Sequence, residues 1–307
     1  MELWAANEFL EDPAALERQF QADGYLFLRG VLDLEEIANL KRQIVDVLVD
    51  CGFATREGDD AMWSGVDITP FGSHPVQLHG RHLWERFVQR PKIAAAIARV
   101  FGEPAYFLPM GQYQVAWPGK AGMGKKIHQD GYANPGIDFR TFWIPLMDIS
   151  EDVGGVAVVP RAHQRGPIKT SPPRNPYLSE DLFPQEYWYR ADYRAGDLLV
   201  FHGFTPHNGI PNRTQRLRLS VDLRAQAMSA KRPFIGFVRG VVDDRIILDP
   251  EGGERVQLAI SPSTLVRTDE GARSAPLEDF IGRRVVVAAE GGEAVLLRWA
   301  SSALESA

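Results

Sequence analysis

Three side chains from two distant stretches of this chain could share one divalent metal ion. His128-Gln129-Asp130 sets an imidazole and a carboxylate two residues apart, and His207 follows 79 residues later in Thr205-Pro206-His207-Asn208-Gly209. On a strand or at its end, that two-residue spacing turns both side chains to the same side. Two imidazoles and one carboxylate form the donor set that holds a non-heme iron(II) and leaves further positions open. One carboxylate leaves such a site with a single net positive charge. A bidentate 2-oxo acid would neutralise it and still leave one position for O2. An HxD pair alone is weak, since His128 also suits a half-buried histidine and His207 a turn.

The far carboxylate of a 2-oxo acid such as 2-oxoglutarate would need its own cation. Residues 216–224 alternate strictly: Leu217, Leu219, Val221 and Leu223 share one face, and Arg216, Arg218, Ser220, Asp222 and Arg224 share the other. The polar face either meets solvent or lines a cavity whose outer wall packs on helices. In the second case Arg218 supplies a bidentate fork and Ser220 a hydroxyl. Asp222 and Arg224 share that parity, and Lys126 shares the parity of His128 and Asp130, so all three are substrate-contact candidates.

Several elements must position these groups. Residues 13–50 read as helical around a short strand at Gly24–Gly30, with Asp12-Pro13 as a helix start and a three-and-four apolar spacing from Leu34 to Leu48. Residues 51–80 read as irregular and 83–101 as one helix ending at Gly102. From residue 105 the texture becomes β: 105–117, 126–130, 140–149, 155–159, 197–202 and 216–224, a pattern that suggests a sandwich or jelly roll. The Pro-rich insertion 166–190 is long enough for a functional lid. Beyond Lys231-Arg232-Pro233, strands are expected at Phe234–Val242, Arg245–Leu248, Arg255–Ile260, Arg283–Ala289 and Ala294–Trp299, forming a small separate β-barrel. The expected division is 1–230 and 231–307.

The 307 residues carry a net charge of −6 and one cysteine, Cys51. Without a basic stripe, no nucleic-acid partner is indicated. One cysteine permits no internal disulfide or zinc pair. No apolar run reaches membrane-span length, and the N-terminus lacks a signal pattern, so a cytoplasmic protein without a membrane partner is expected.

Ordered blocks over residues 17–225 resemble the phytanoyl-CoA dioxygenase family of iron(II)/2-oxoglutarate oxygenases. They are Ala22–Leu32, Trp117-Pro118-Gly119, Ile127–Asp130, Phe142–Leu146, Gly154–His163, Ala195–His202 and His207 through Ser220. The resemblance implies a double-stranded β-helix (jelly roll, cupin-like) with N-terminal helices, iron(II) on His128, Asp130 and His207, and 2-oxoglutarate on Arg218. It places Trp143 beside the co-substrate and lets Tyr113 face it. Arg140, His79, His82 and Arg161 fall near family pocket positions and join the substrate candidates; Arg161 stands where the family has glycine. The implied reaction is O2-dependent hydroxylation or related oxidation of a small, polar molecule such as a natural-product intermediate, with succinate and CO2 released. Two other readings stay open: a non-catalytic jelly-roll binding protein, and an O2-independent cupin-type metalloenzyme. The C-terminal barrel could support a homo-oligomer, dock a partner or cover the catalytic domain.

Overall fold

A computed structural model of the protein describes residues 1–66, 76–118, 127–170, 177–268, 271–272 and 275–301. Lys126 lies outside the described residues.

The N-terminal helices begin and end on local signals. Helix α1 (Pro13–Asp23) is capped by the Asp12 carboxylate, which accepts from Ala15 N at 2.9 Å, and stops at Gly24, whose φ of 74° suits a residue without Cβ. Strand β1 (Tyr25–Leu28) follows, then α2 (Leu34–Asp50), capped by Asp33 and burying Ile37, Leu40, Ile44, Val45, Val47 and Leu48. Residues 54–63 form a hairpin, β2 (Ala54–Glu57) and β3 (Asp60–Trp63), where irregular chain was expected. After the short α3 (Val76–His79), the single helix expected over 83–101 is two, α4 (Leu83–Val88) and α5 (Pro91–Phe101). Pro91 is the reason: it cannot donate inside a helix but suits the first helical position.

Strands β4 (Ala105–Phe107), β5 (Gln112–Ala116), β6 (Arg140–Pro145), β7 (Gly155–Val158), β8 (Leu198–His202), β9 (His207–Ile210) and β10 (Arg218–Ala227) complete the main body. The larger sheet runs β1-β8-β6-β10, and both β4 and β5 pair with the far edge of β10. Its outer face, with Leu217, Leu219, Val221 and Leu223, joins one apolar core with Leu16, Phe20, Ile37 and Ile97 of the helices. Opposite it, β7 pairs β9, and single bridges add His128 to His207 and Tyr189 to Val158. The strand expected over 126–130 is only the bridge at His128, because a 3-10 turn begins at Asp130. The described part of the 166–190 insertion is partly docked: Leu178 and Phe183 are buried with Ile127, Val159 and Ala162.

The C-terminal strands are β11 (Phe234–Val242), β12 (Arg245–Pro250), β13 (Val256–Thr268), β14 (Gly271–Ala272), β15 (Arg284–Glu290) and β16 (Glu293–Trp299). Pairings β11–β12, β12–β13, β13–β16, β16–β15 and β15–β11 close a five-stranded barrel. Its own core includes Val238, Ile246, Leu248, Phe280 and Leu297. Strand β13 runs on past Ile260, shifting register before Leu265 around Pro262, so it is longer than expected. The barrel also packs on the main body, with Ile235, Val286, Ala288 and Leu296 against Leu108, Met110, Ile137 and Phe139. Among the described residues, no helix is long and apolar enough to cross a membrane.

Candidate active site

His128 and His207 are cross-strand neighbours. The backbone N–H of each donates to the carbonyl of the other at 3.1 Å, which sends both rings to one side with centroids 4.1 Å apart. Gln129 between His128 and Asp130 is extended, so Asp130 returns to the same side. The Gln129 side chain points the other way. Its Nε2 donates to Gly166 O at 3.0 Å and Phe204 O at 2.7 Å, and its Oε1 accepts from Ile168 N at 2.8 Å. One buried amide thus ties the HxD segment to two loops.

Asp130 Oδ1 lies 3.6 Å from His128 Nε2 and 3.9 Å from His207 Nε2. The three donor atoms all fall within 4.8 Å of one another. Asp130 Oδ2 is occupied, accepting from Thr141 Oγ1 and Arg224 Nη2, both at 2.8 Å. His207 Nδ1 donates to the Thr205 carbonyl at 3.1 Å, so in the neutral ring the Nε2 lone pair turns to the group. A ligating histidine and carboxylate held from behind in this way are the usual support of a metal site. The donor set fits iron(II): two imidazole nitrogens and one carboxylate oxygen on one side of a common point. Burial pushes the Asp130 carboxyl up, but Arg224, then His207 and His128, outweigh it and hold it below the usual carboxylate range.

A small cavity runs from His207 between the two sheets to Arg218, walled by Trp143, Val156, Phe201 and Gly209. Arg218 is buried and donates through Nη1 to Ser220 Oγ at 3.1 Å, while its Nε has no partner among the described residues. Burial lowers the guanidinium to about 10, opposed by Asp222 and Tyr193, so it stays charged at neutral pH. Trp143 is buried in the cavity wall, its ring edge-on to Tyr193 at 4.6 Å. Asp222 also lines the cavity; its Oδ2 accepts from Gln114 Nε2 at 3.0 Å, and its Oδ1 has no partner among the described residues. A larger, shallower groove lies between α5 and β4, lined by Ala94, Ala98 and Phe107, with none of the triad in its wall.

Four expected contacts do not reach the cavity. Tyr113 pairs with Val221, not with Ser220 or Asp222, and so faces the helices. Its hydroxyl accepts from Leu83 N at 2.9 Å and Trp84 N at 3.0 Å, at the start of α4. His79 stands against the Tyr113 ring at 5.3 Å in the same outer layer. Arg140 pairs with Ala225 on the outer face, where it binds Glu17 and Val100 O and lies over the Phe20 and Phe101 rings. Arg161 is exposed and bonds Asp23 at 3.0 Å. Its φ of 66° explains why glycine suits that turn. Arg224, expected to contact substrate, instead holds Asp130.

Thr141, Gln114 and Gln129 were missed. Thr141 has the parity of Trp143, and Gln114 sits opposite Ser220, so register would have found both. Nothing in the sequence singles out Gln129.

The phytanoyl-CoA dioxygenase (PhyH) family model matches residues 20–220. A 1-deoxypentalenic acid 11-beta-hydroxylase of Streptomyces exfoliatus is 31% identical over 247 residues, covering 73% of this chain and 85% of that protein. A methylphosphonate hydroxylase of Gimesia maris is 26% identical, covering 67% of this chain and 77% of its own. The structure of EvdO2 from Micromonospora carbonacea var. aurantiaca, complexed with 2-oxoglutarate, superposes with a TM-score of 0.51 at 16% identity, over 76% of this chain and 98% of that one, a likeness of fold. With a matching family model over most of its length and a His-Asp-His group in place, this chain belongs to the phytanoyl-CoA dioxygenase family of non-heme iron and 2-oxoglutarate oxygenases.

Proposed function

We propose that this protein is an iron(II)- and 2-oxoglutarate-dependent dioxygenase that oxidises a C–H bond of a small polar molecule, such as a natural-product intermediate. The observation that carries this is one line of groups: three converged metal donors, a cavity leading from them, and a buried guanidinium at the far end that, among the described residues, has no carboxylate bonded to it. The same reading takes residues 1–230 as a double-stranded β-helix domain and 231–307 as a separate barrel. Its support is the pair of facing sheets and the distinct barrel core.

His128, Asp130 and His207 would hold the iron. Bound iron(II) with 2-oxoglutarate supplies the oxidising power, as O2 is consumed, 2-oxoglutarate becomes succinate and CO2, and substrate C–H becomes C–OH. Arg218 and Ser220 receive the far carboxylate of 2-oxoglutarate and so fix its reach toward the donors. Thr141 and Arg224 occupy Asp130 Oδ2 and leave Oδ1 for the metal. Trp143, Val156 and Phe201 keep bulk water from the cavity. The hydroxylase names of two relatives support C–H hydroxylation here.

Anaerobic titration with Fe(II) and 2-oxoglutarate tests this directly. A metal-to-ligand charge-transfer band is expected, and its loss in His128→Ala. Admitting O2 with a metabolite panel that includes 1-deoxypentalenic acid should release succinate. A band without succinate would favour a binding protein, and O2-independent turnover a cupin-type enzyme. No band in the wild type, or an unchanged band in His128→Ala, refutes the proposal.

A further inference from the structure

The C-terminal barrel reaches the turn that carries Asp130. Arg267 on β13 and Arg298 on β16 are paired neighbours in the barrel wall, and both extend toward this turn. Arg298 donates to Asn134 Oδ1, and Asn134 Nδ2 donates to Asp130 O at 2.8 Å. Arg267 Nη1 donates to Ala133 O at 2.8 Å. Among the described residues its buried Nε has no hydrogen-bond partner, and no carboxylate lies within ion-pair reach. The charged and titratable neighbours felt by its guanidinium are Arg224, Asp130 and Tyr177, after burial itself, and the net effect lowers its pKa.

These groups lie on another side of the triad from the 2-oxoglutarate cavity. That cavity meets His207 and not His128. The His128 side chain is 17% exposed, against 6% for His207 and 7% for Asp130, so the site opens toward His128. Tyr177, itself 41% exposed, stands edge-on to the His128 ring at 6.5 Å. His128 and Tyr177 therefore border the open side, and the Arg267 guanidinium is close enough to feel the charges of Asp130 and Tyr177.

Asp130 and Asp222 balance Arg218 and Arg224. A divalent iron is balanced by the dianion of 2-oxoglutarate. Among the described residues Arg267 has no carboxylate partner; it is partly buried, and no hydrogen bond uses the Nε–Nη2 edge of its fork. That edge matches a carboxylate in geometry and in the sign of its charge.

We infer that Arg267 receives a carboxylate of the substrate, so that the barrel forms part of the active site and the substrate is a carboxylic acid. The inference rests on the oxygenase reading. Isothermal titration of the anaerobic protein loaded with Fe(II) and 2-oxoglutarate tests it, using linear and cyclic carboxylic acids, their methyl esters and the matching phosphonic acids. Acids should bind the wild type at least about tenfold more tightly than their esters, roughly 1.4 kcal/mol. Phosphonic acids should bind no better than carboxylic acids. Arg267→Ala should bring the acid-to-ester ratio near one and Arg267→Lys should retain part of it, while both variants keep the charge-transfer band. No acid binding, an ester or phosphonic acid preferred over its carboxylic acid, or an intact ratio in Arg267→Ala overturns the inference. A purely structural Arg267 would shift the melting temperature and leave the ratio alone. Absence of the band in the wild type refutes the oxygenase reading instead, and the acid-to-ester ratio remains measurable on that protein.

Discussion

Replacing Arg218 by methionine should loosen 2-oxoglutarate without loosening the fold. The side chain is buried and, among the described residues, makes one hydrogen bond, to Ser220 Oγ. Burial brings its pKa down to about 10. A depressed pKa on a base means that the charged form is penalised by folding, here by about 3 kcal/mol at one pKa unit per 1.36 kcal/mol. The penalty is present in full below the folded pKa and fades as pH rises toward the unfolded one. Methionine removes the penalty at neutral pH and keeps much of the packing, so the apoprotein should be as stable as the wild type or more so. Co-substrate binding should move the other way. A fork of two charge-assisted hydrogen bonds, at about 1.5–3 kcal/mol each, corresponds to a loss of roughly a hundredfold or more in affinity.

Lysine at the same position gives the sharper result. Its ordinary pKa is about 10.4. Burial lowers the pKa of a buried ammonium as well, so Arg218→Lys should bind 2-oxoglutarate near pH 6.5 and lose affinity as pH rises toward 9.5, where the wild type shows no such loss. Anaerobic titration of the Fe(II) protein between pH 6.5 and 9.5, beside urea denaturation of the apoproteins, measures both quantities. If Arg218→Met binds 2-oxoglutarate within threefold of the wild type, or costs the apoprotein about 3 kcal/mol or more, Arg218 is instead a structural partner of Asp222 and the reasoning fails.

Tyr113→Phe should destabilise the fold by about 1–3 kcal/mol, because Leu83 N and Trp84 N lose a shared acceptor, while 2-oxoglutarate affinity stays unchanged; thermal melts and the same titration check both. Thr141→Val should weaken divalent-metal binding by about tenfold or more, since it frees one side of Asp130 Oδ2 without altering charge; calorimetry with Mn(II) reads it. Asp60 is raised by burial, but Lys41 and Arg216 outweigh this and hold it below the ordinary carboxylate range. Its stabilisation is therefore complete above the unfolded value of about 4 and fades as pH falls below it. Asp60→Asn should cost about 1–3 kcal/mol at pH 7 and progressively less in acid, as measured by urea midpoints across pH.

The helices with explicit punctuation were legible. Asp12-Pro13 and Gly24 bound α1 where local chemistry put them, while Asp33, which caps α2, was not read as a start. Pro91 carried the same kind of signal, but the apolar spacing continues across it and hides the break. The β2–β3 hairpin was illegible for the opposite reason: Thr55, Arg56 and Glu57 are exposed and show no apolar alternation, and the hairpin is tied down by distant partners, Trp63 N to Gln215 O and Leu217 N to Ala61 O. In the barrel, the parallel pairing of β13 with β16 is a non-local event, and Pro262 argued against continuing the strand. Arg267 lies in the part of β13 that was not foreseen.

The site was legible to the depth of one strand. Parity along β10 put Arg218, Ser220, Asp222 and Arg224 on one face, and they share it. The same rule, carried across the ladder, also settles the neighbours. Directly opposed residues in an antiparallel pair share a face, so Gln114 opposite Ser220 and Trp143 opposite Asp222 turn inward. Tyr113 opposite Val221 and Arg140 opposite Ala225 must then turn outward, to the helices. Both residues were polar or aromatic, close in sequence to cavity residues, and one position out of phase. A one-residue slip exchanges the faces of a whole strand. Residue type therefore selects candidates, but only the register of β5 and β6 on β10 decides which of them can touch a co-substrate.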